Sequence, residues 1–155
     1  MKKVLFFFLM VLSTASVFGQ NTDFSGNWKL NSSKSKLNTE FSMAPKEIII
    51  VYSGNDLNIE KHSSFQDQDF TTKDKLTVDG KECINPGWQD SQKKSTVVLS
   101  EDKKSLKITT KFPMNDGGEV LITEIYKMDG TNMVIESSAS SSYGDMAESM
   151  VYDKQ

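Results

Sequence analysis

The sequence predicts an all-β protein, an antiparallel up-and-down meander of about eight to ten strands. Three observations predict it. Apolar residues downstream of Phe24 recur at every second position rather than at helical spacing. The runs are short and are punctuated by Gly, Asn and Asp clusters that favour tight turns. No downstream stretch carries a convincing helical pattern, apart from a short helical turn expected around Lys34 to Leu37.

Taken in order, Phe24, Gly26, Trp28 and Leu30 alternate with polar residues and form a half-buried strand. Asn31 to Lys46 is polar, rich in Ser and Lys, and reads as a long loop. Ile48, Ile50 and Tyr52 lead through Ser53-Gly54-Asn55-Asp56 into Leu57 and Ile59, a hairpin. Phe70 to Val78 runs into the Asp79-Gly80-Lys81 turn. Ser95, Val97 and Leu99 precede a charged turn, after which Leu106, Ile108, Thr110 and Phe112 alternate with Lys107, Thr109 and Lys111. The Asn115-Asp116-Gly117-Gly118 turn leads to Val120, Ile122, Glu124 and Tyr126, opposite in face to Leu121, Thr123, Ile125 and Lys127. Asp129-Gly130 turns into Met133 and Ile135, and a last strand closes at Met150-Val151-Tyr152. Ser137 to Asp145, low in side-chain volume, suits a flexible strand edge or a wide connection. So long a meander has two open edges, which closure into a barrel or folding into a sandwich protects.

Composition narrows the function. The chain has 155 residues, 37% hydrophobic and 25% charged, with three prolines and nine glycines, which excludes collagen, disorder and a multi-domain enzyme. All 18 basic residues are lysines, and 21 acids leave a net charge of −3, which argues against nucleic acid and anionic membrane as partners. One Cys and one His preclude a disulfide framework and any metal motif built on two of either, so no metal and no cofactor are expected. Cys83, beside a Pro86-Gly87 turn, reads as a buried or half-buried thiol.

The N-terminus reads as an export address. Met1-Lys2-Lys3 is basic, Val4 to Leu12 is apolar, and Val17-Phe18-Gly19 has the small-residue pattern of a cleavage site. Residues 1–19 are therefore expected to be a signal peptide and 20–155 one soluble domain, periplasmic or extracellular. The apolar run is about half the ~20 residues of a membrane span. Gln20 stands where a lipoprotein would carry Cys, so neither lipid attachment nor membrane insertion is expected. Oligomeric state is left open.

Candidate site residues follow from the strand faces. Tyr52, Phe112 and Tyr126 are large aromatics on strands and Trp88 lies beside a turn, so they either line a cavity or fill a core. Glu124 shares a face with Val120, Ile122 and Tyr126, and would be the polar anchor inside if that face turned inward. The two faces of its strand are nearly equal in apolarity, so both orientations stay open. His62 falls on the face opposite Leu57, Ile59 and Lys61 and is expected in solvent. Asp67, Asp69 and Asp74 lack calcium-loop spacing and read as a solvated strand edge. No nucleophile-elbow pattern appears, and no catalytic residue is assigned.

The stretch Phe24-Ser25-Gly26-Asn27-Trp28-Lys29-Leu30-Asn31, followed by Lys34-Ser35-Lys36, resembles the opening of small secreted bacterial lipocalin-like proteins of the calycin type, with their G-x-W first strand. The Asp79-Gly80-Lys81-Glu82 turn and the closing Val151-Tyr152-Asp153-Lys154 are also similar. The resemblance implies an up-and-down barrel around a hydrophobic cavity, with Trp28 packed at its closed end and Gly26 permitting close approach. Lipocalins proper lay a basic side chain, commonly Arg, over that Trp. This chain has no Arg, and Lys127 or Lys154 is the available substitute. The expectation is a non-enzymatic, secreted protein that binds a small apolar or amphipathic ligand through Tyr52, Trp88, Phe112, Glu124 and Tyr126. The alternatives are a filled barrel that acts on other proteins through its loops, and a barrel isomerase or cyclase using Glu124 or His62.

Overall fold

The computed structural model describes residues 22–39, 41–42, 44–65, 67–88, 90–114 and 117–155. The expected export segment, 1–19, lies outside them, as do Asn115 and Asp116 of the expected turn. Among the described residues there are ten strands and no helix: β1 (Gly26–Leu30), β2 (Glu47–Ser53), β3 (Asp56–Phe65), β4 (Gln68–Thr77), β5 (Cys83–Pro86), β6 (Gln92–Leu99), β7 (Ser105–Pro113), β8 (Glu119–Asp129), β9 (Asn132–Ser141) and β10 (Gly144–Lys154). They form one antiparallel sheet in the order β4-β3-β2-β1-β10-β9-β8-β7-β6-β5. Each strand pairs with its sequence neighbour, except that β1 pairs with β10 and β4 is followed by a gap.

The period-two pattern becomes an inside and an outside. Trp28 lies opposite Ile48, Ile50 opposite Ile59, Leu57 opposite Leu76, and Tyr126 opposite both Leu106 and Ile135. Directly paired residues share a face, so these side chains meet in the buried core together with Phe24, Val97, Met133, Met150 and Tyr152. That core fills the end of the barrel where β2 turns into β3, β6 into β7 and β8 into β9.

Gly26 and Trp28 hold this closed end. The Trp28 indole N–H donates to the Phe24 carbonyl at 2.9 Å. Lys154, paired with Trp28, lays its ammonium 5.3 Å from the indole centroid. Of the two expected lysines it is Lys154 that does so, while Lys127 pairs with Glu136 at 3.0 Å. Gly26 has φ +141°, a conformation that favours glycine, and a Cβ there would also displace the end of the Lys154 side chain, whose Cε would stand 2.8 Å away.

Two segments differ from expectation. The turn after β1 closes over Asn31 to Ser35, whose amide, with that of Lys34, donates to the Asn31 carbonyl. The helical turn expected around Lys34 to Leu37 does not form, because Lys36 exchanges backbone hydrogen bonds with Ser149 of β10. Ser137 to Asp145 is neither a wide connection nor a free edge; it ends β9 and opens β10 in a continuous ladder from Gly144↔Ser141 to Asp153↔Asn132. Ladder hydrogen bonds are made by backbone, so low side-chain volume does not prevent pairing.

The sheet curls until its ends, β4 and β5, come together. Among the described residues no ladder joins them. The buried Asn85 side chain substitutes for one: its Oδ1 accepts from the Lys75 amide at 2.9 Å and its Nδ2 donates to the Lys75 carbonyl at 3.1 Å. Asp79 bridges onto Val98, and the Gly80 amide donates to the Val97 carbonyl. The result is a nearly closed calycin-type barrel.

Candidate functional site

The other half of the barrel is not filled by carbon. Along β3, β4, β6 and β8 the inward positions change from apolar to charged: Ile59 gives way to Lys61, Leu76 to Asp74, Val97 through Ser95 to Lys93, and Tyr126 to Glu124. Lys61 Nζ stands 2.6 and 2.7 Å from the two Glu124 carboxylate oxygens. Lys93 Nζ stands 2.8 Å from both Asp74 oxygens. Side-chain exposures are 17% and 13% in the first pair and 8% and 12% in the second, so both are largely withdrawn from water. β3 and β8 are distant in the sheet order, and β4 and β6 lie on opposite sides of the gap. Both pairs therefore form only because the barrel closes.

The charges order their surroundings. The Tyr126 hydroxyl donates to Glu124 Oε2 at 3.3 Å. Lys61 Nζ stands 5.9 Å from the Tyr126 ring centroid, and Lys93 Nζ 5.5 Å from that of Phe112. Burial alone would push the Lys61 ammonium down, but Glu124, with Tyr126, outweighs it and holds Lys61 above the usual lysine value. Burial, reinforced by the Glu124 charge, pushes the Tyr126 phenol up. Both groups keep their protons at any ordinary pH.

Two adjoining spaces lie beside the pairs. An inner cavity of about 140 Å³ is lined by all four charged residues with Ile59, Thr110, Ile122 and neighbours. An outer cavity of about 560 Å³ opens between the start of β4 and the β5–β6 turn, and its wall includes Phe70, Pro86 and Trp88. Thr72, Lys93 and Phe112 line both and form the partition.

Of the residues expected to bind ligand, Phe112 lines both spaces, Glu124 the inner one, and Trp88 the outer rim, where it is 59% exposed. Glu124 faces inward, which resolves the orientation of β8. Tyr126 is buried beneath Glu124. Tyr52 stands apart at the closed end, lining a shallow depression with Thr22, Asp23 and Gly54. His62 lies on the outer face, its Nε2 3.0 Å from Glu60 Oε1.

Asp74 requires a correction: it is not on a solvated edge like Asp69, but opposite Ile59 with its carboxylate turned inward. The alternation with Leu76 carried that signal, but the two other acids nearby masked it. Lys61 and Lys93 were missed as site residues although each continues an inward series, Leu57-Ile59-Lys61 and Val97-Ser95-Lys93. Among the described residues, no three His, Cys, Asp or Glu side chains come together as a metal site, and no helix is long and apolar enough to cross a membrane.

No protein-family model and no curated protein matches the sequence. Among solved structures, the chain is similar to zebrafish ileal bile acid-binding protein in complex with cholic acid, with a TM-score of 0.57 and 18% identity over 85% of this chain and 98% of that one. It is also similar to the apo form of lipid binding protein 8 from Caenorhabditis elegans, with a TM-score of 0.54 and 11% identity over 85% of this chain and 95% of that one. At these identities the likeness establishes the fold, a calycin-type β-barrel.

Proposed function

We infer that this protein is a secreted, non-enzymatic carrier that binds one small apolar or amphipathic molecule in the open half of its barrel. The observation that carries the reading is the outer cavity of about 560 Å³, walled by Phe70, Trp88 and Phe112, with Lys93 at its boundary with the inner cavity. Its volume falls within the roughly 300–1,000 Å³ of sites that enclose small ligands. Two barrels of the same fold, named for the bile acids and lipids they bind, support it. Burial of ligand carbon supplies the driving force, at about 25 cal/mol per Å². The basic and apolar opening of the chain, with Gly19 before Gln20, supports export and release as a soluble domain.

Native mass spectrometry of protein purified without detergent, joined to tryptophan fluorescence with a panel of fatty acids and sterols, tests the reading. A co-purifying molecule, or an emission change that is lost in Trp88→Phe, is expected, because Trp28 is sealed in the core. Absence of both results would leave a filled barrel working through its loops.

A further inference from the structure

The chemistry of the open half defines what head group the carrier accepts. Two ammonium groups and two carboxylates line the inner cavity, and their charges cancel. Each is already paired, at 2.6 to 2.8 Å. A ligand with a single negative charge could take a remaining N–H of Lys93, but it would leave one uncompensated negative charge in a space largely withdrawn from water. A ligand with a single positive charge would leave the opposite imbalance. A neutral head would use neither group, although two ion pairs on a barrel wall cost more to bury than apolar residues of the same volume.

One class of head group avoids all three penalties. A zwitterion places its anion on Lys93 and its cation on Asp74, so each protein charge exchanges one partner for another and the cavity stays neutral. Asp74 is suited to the exchange. Its Oδ1 is buried, lies 2.8 Å from Lys93 Nζ and accepts no well-aligned hydrogen bond, so it becomes free for a ligand cation once Lys93 turns toward the ligand's anion. Lys93 stands in the partition between the two spaces, reachable from the mouth. The inner space of about 140 Å³ takes a head group, while the aromatic outer space of about 560 Å³ takes carbon. All four charged residues line the inner space, and of them only Lys93 also reaches the outer one.

We propose that the ligand is a zwitterionic single-chain amphiphile, bound head-inward, whose anion and cation exchange into the Lys93–Asp74 pair while its hydrocarbon lies against Phe70, Trp88 and Phe112. The proposal rests on the carrier reading and adds the charge type and direction of the ligand.

Four probes with twelve-carbon chains separate the possibilities: dodecylphosphocholine, dodecanoate, dodecyltrimethylammonium and the neutral monododecanoyl glycerol. Each is titrated below its micelle concentration and followed by calorimetry and Trp88 emission. Dodecylphosphocholine should bind at least about tenfold more tightly than each of the other three. Asp74→Asn, which keeps the shape and leaves Lys93 without a counter-charge, should shift the preference toward dodecanoate. Lys93→Met combined with Asp74→Leu should abolish the zwitterion preference while retaining affinity for the neutral probe. Equal or tighter binding of dodecanoate, the cation or the neutral probe by the unaltered protein overturns the zwitterion assignment and leaves the carrier standing. Binding of none of the four overturns both. A zwitterion preference that survives in the Lys93→Met, Asp74→Leu protein removes the assignment to this pair.

Discussion

Lys61 and Glu124 show how one residue's contribution depends on its partner. Each is an expensive choice for a barrel interior, and together they satisfy one another at 2.6 Å. Removing one member of a buried pair strands a charge, so Glu124→Leu is expected to destabilise the fold by about 3–5 kcal/mol in urea denaturation. Lys61→Met combined with Glu124→Leu should recover most of that loss, since apolar replacements of similar volume remove the desolvation cost from both sides. At the closed end Gly26→Ala is strained by the φ of +141° and must also displace the end of the Lys154 side chain over Trp28. A cost of about 1–3 kcal/mol is expected, measured as a lower melting temperature. Trp28 and Gly26 were legible in the sequence as a motif. That Lys154 rather than Lys127 covers the indole was not, because the two lie on strands whose distance from Trp28 is set by pairing across the chain termini.

At the scale of strands, the turn residues and the alternation specify which segments pair, since nearly every ladder joins sequence neighbours. Between β4 and β5 a side chain stands in for the missing ladder. Asn85 gives β4 the two hydrogen bonds that a neighbouring backbone would have given, both at the single residue Lys75. Asn85→Ala should therefore cost about 2 kcal/mol, two net hydrogen bonds with partly compensating water. Hydrogen exchange of the Lys75 amide should accelerate while the Trp28 and Tyr152 amides keep their protection, and uniform acceleration throughout the sheet would contradict the local role. The Asn85 latch was not legible: Asn beside Pro86-Gly87 reads as turn chemistry, and only closure places it against β4.

Across the whole molecule, three buried ionisable groups act in one direction. Lys61, Tyr126 and Tyr152 all hold their protons more tightly when folded than when unfolded, Lys61 through its anionic partner and the two phenols first through burial. Below the unfolded values, near pH 10, both states are protonated and their contribution is fully present. As pH rises beyond about 10 the unfolded chain releases protons that the folded chain retains, so stability falls. The urea midpoint should be level from about pH 8 to about pH 10 and drop above it. The double Lys61→Met, Glu124→Leu protein should drop less. A midpoint that rose through this range would contradict the assignment.

The amino-acid sequence by itself determined the all-β class, the meander, the turns and most of the core, because period-two alternation and turn chemistry are local properties of the chain. It also placed Phe112, Trp88 and Glu124 among the candidates that line the open half, since large aromatics and a lone acid on an apolar strand stand out in one dimension. Only the tertiary structure decided which face of β8 turns inward and drew Asp74 into the barrel. It alone set Lys61 against Glu124 and Lys93 against Asp74, and moved Tyr52 away from the cavity. The physical reason is that these contacts join strands far apart in the sheet. Their partners become neighbours only when the sheet curls closed, and no local pattern in the chain records that distance.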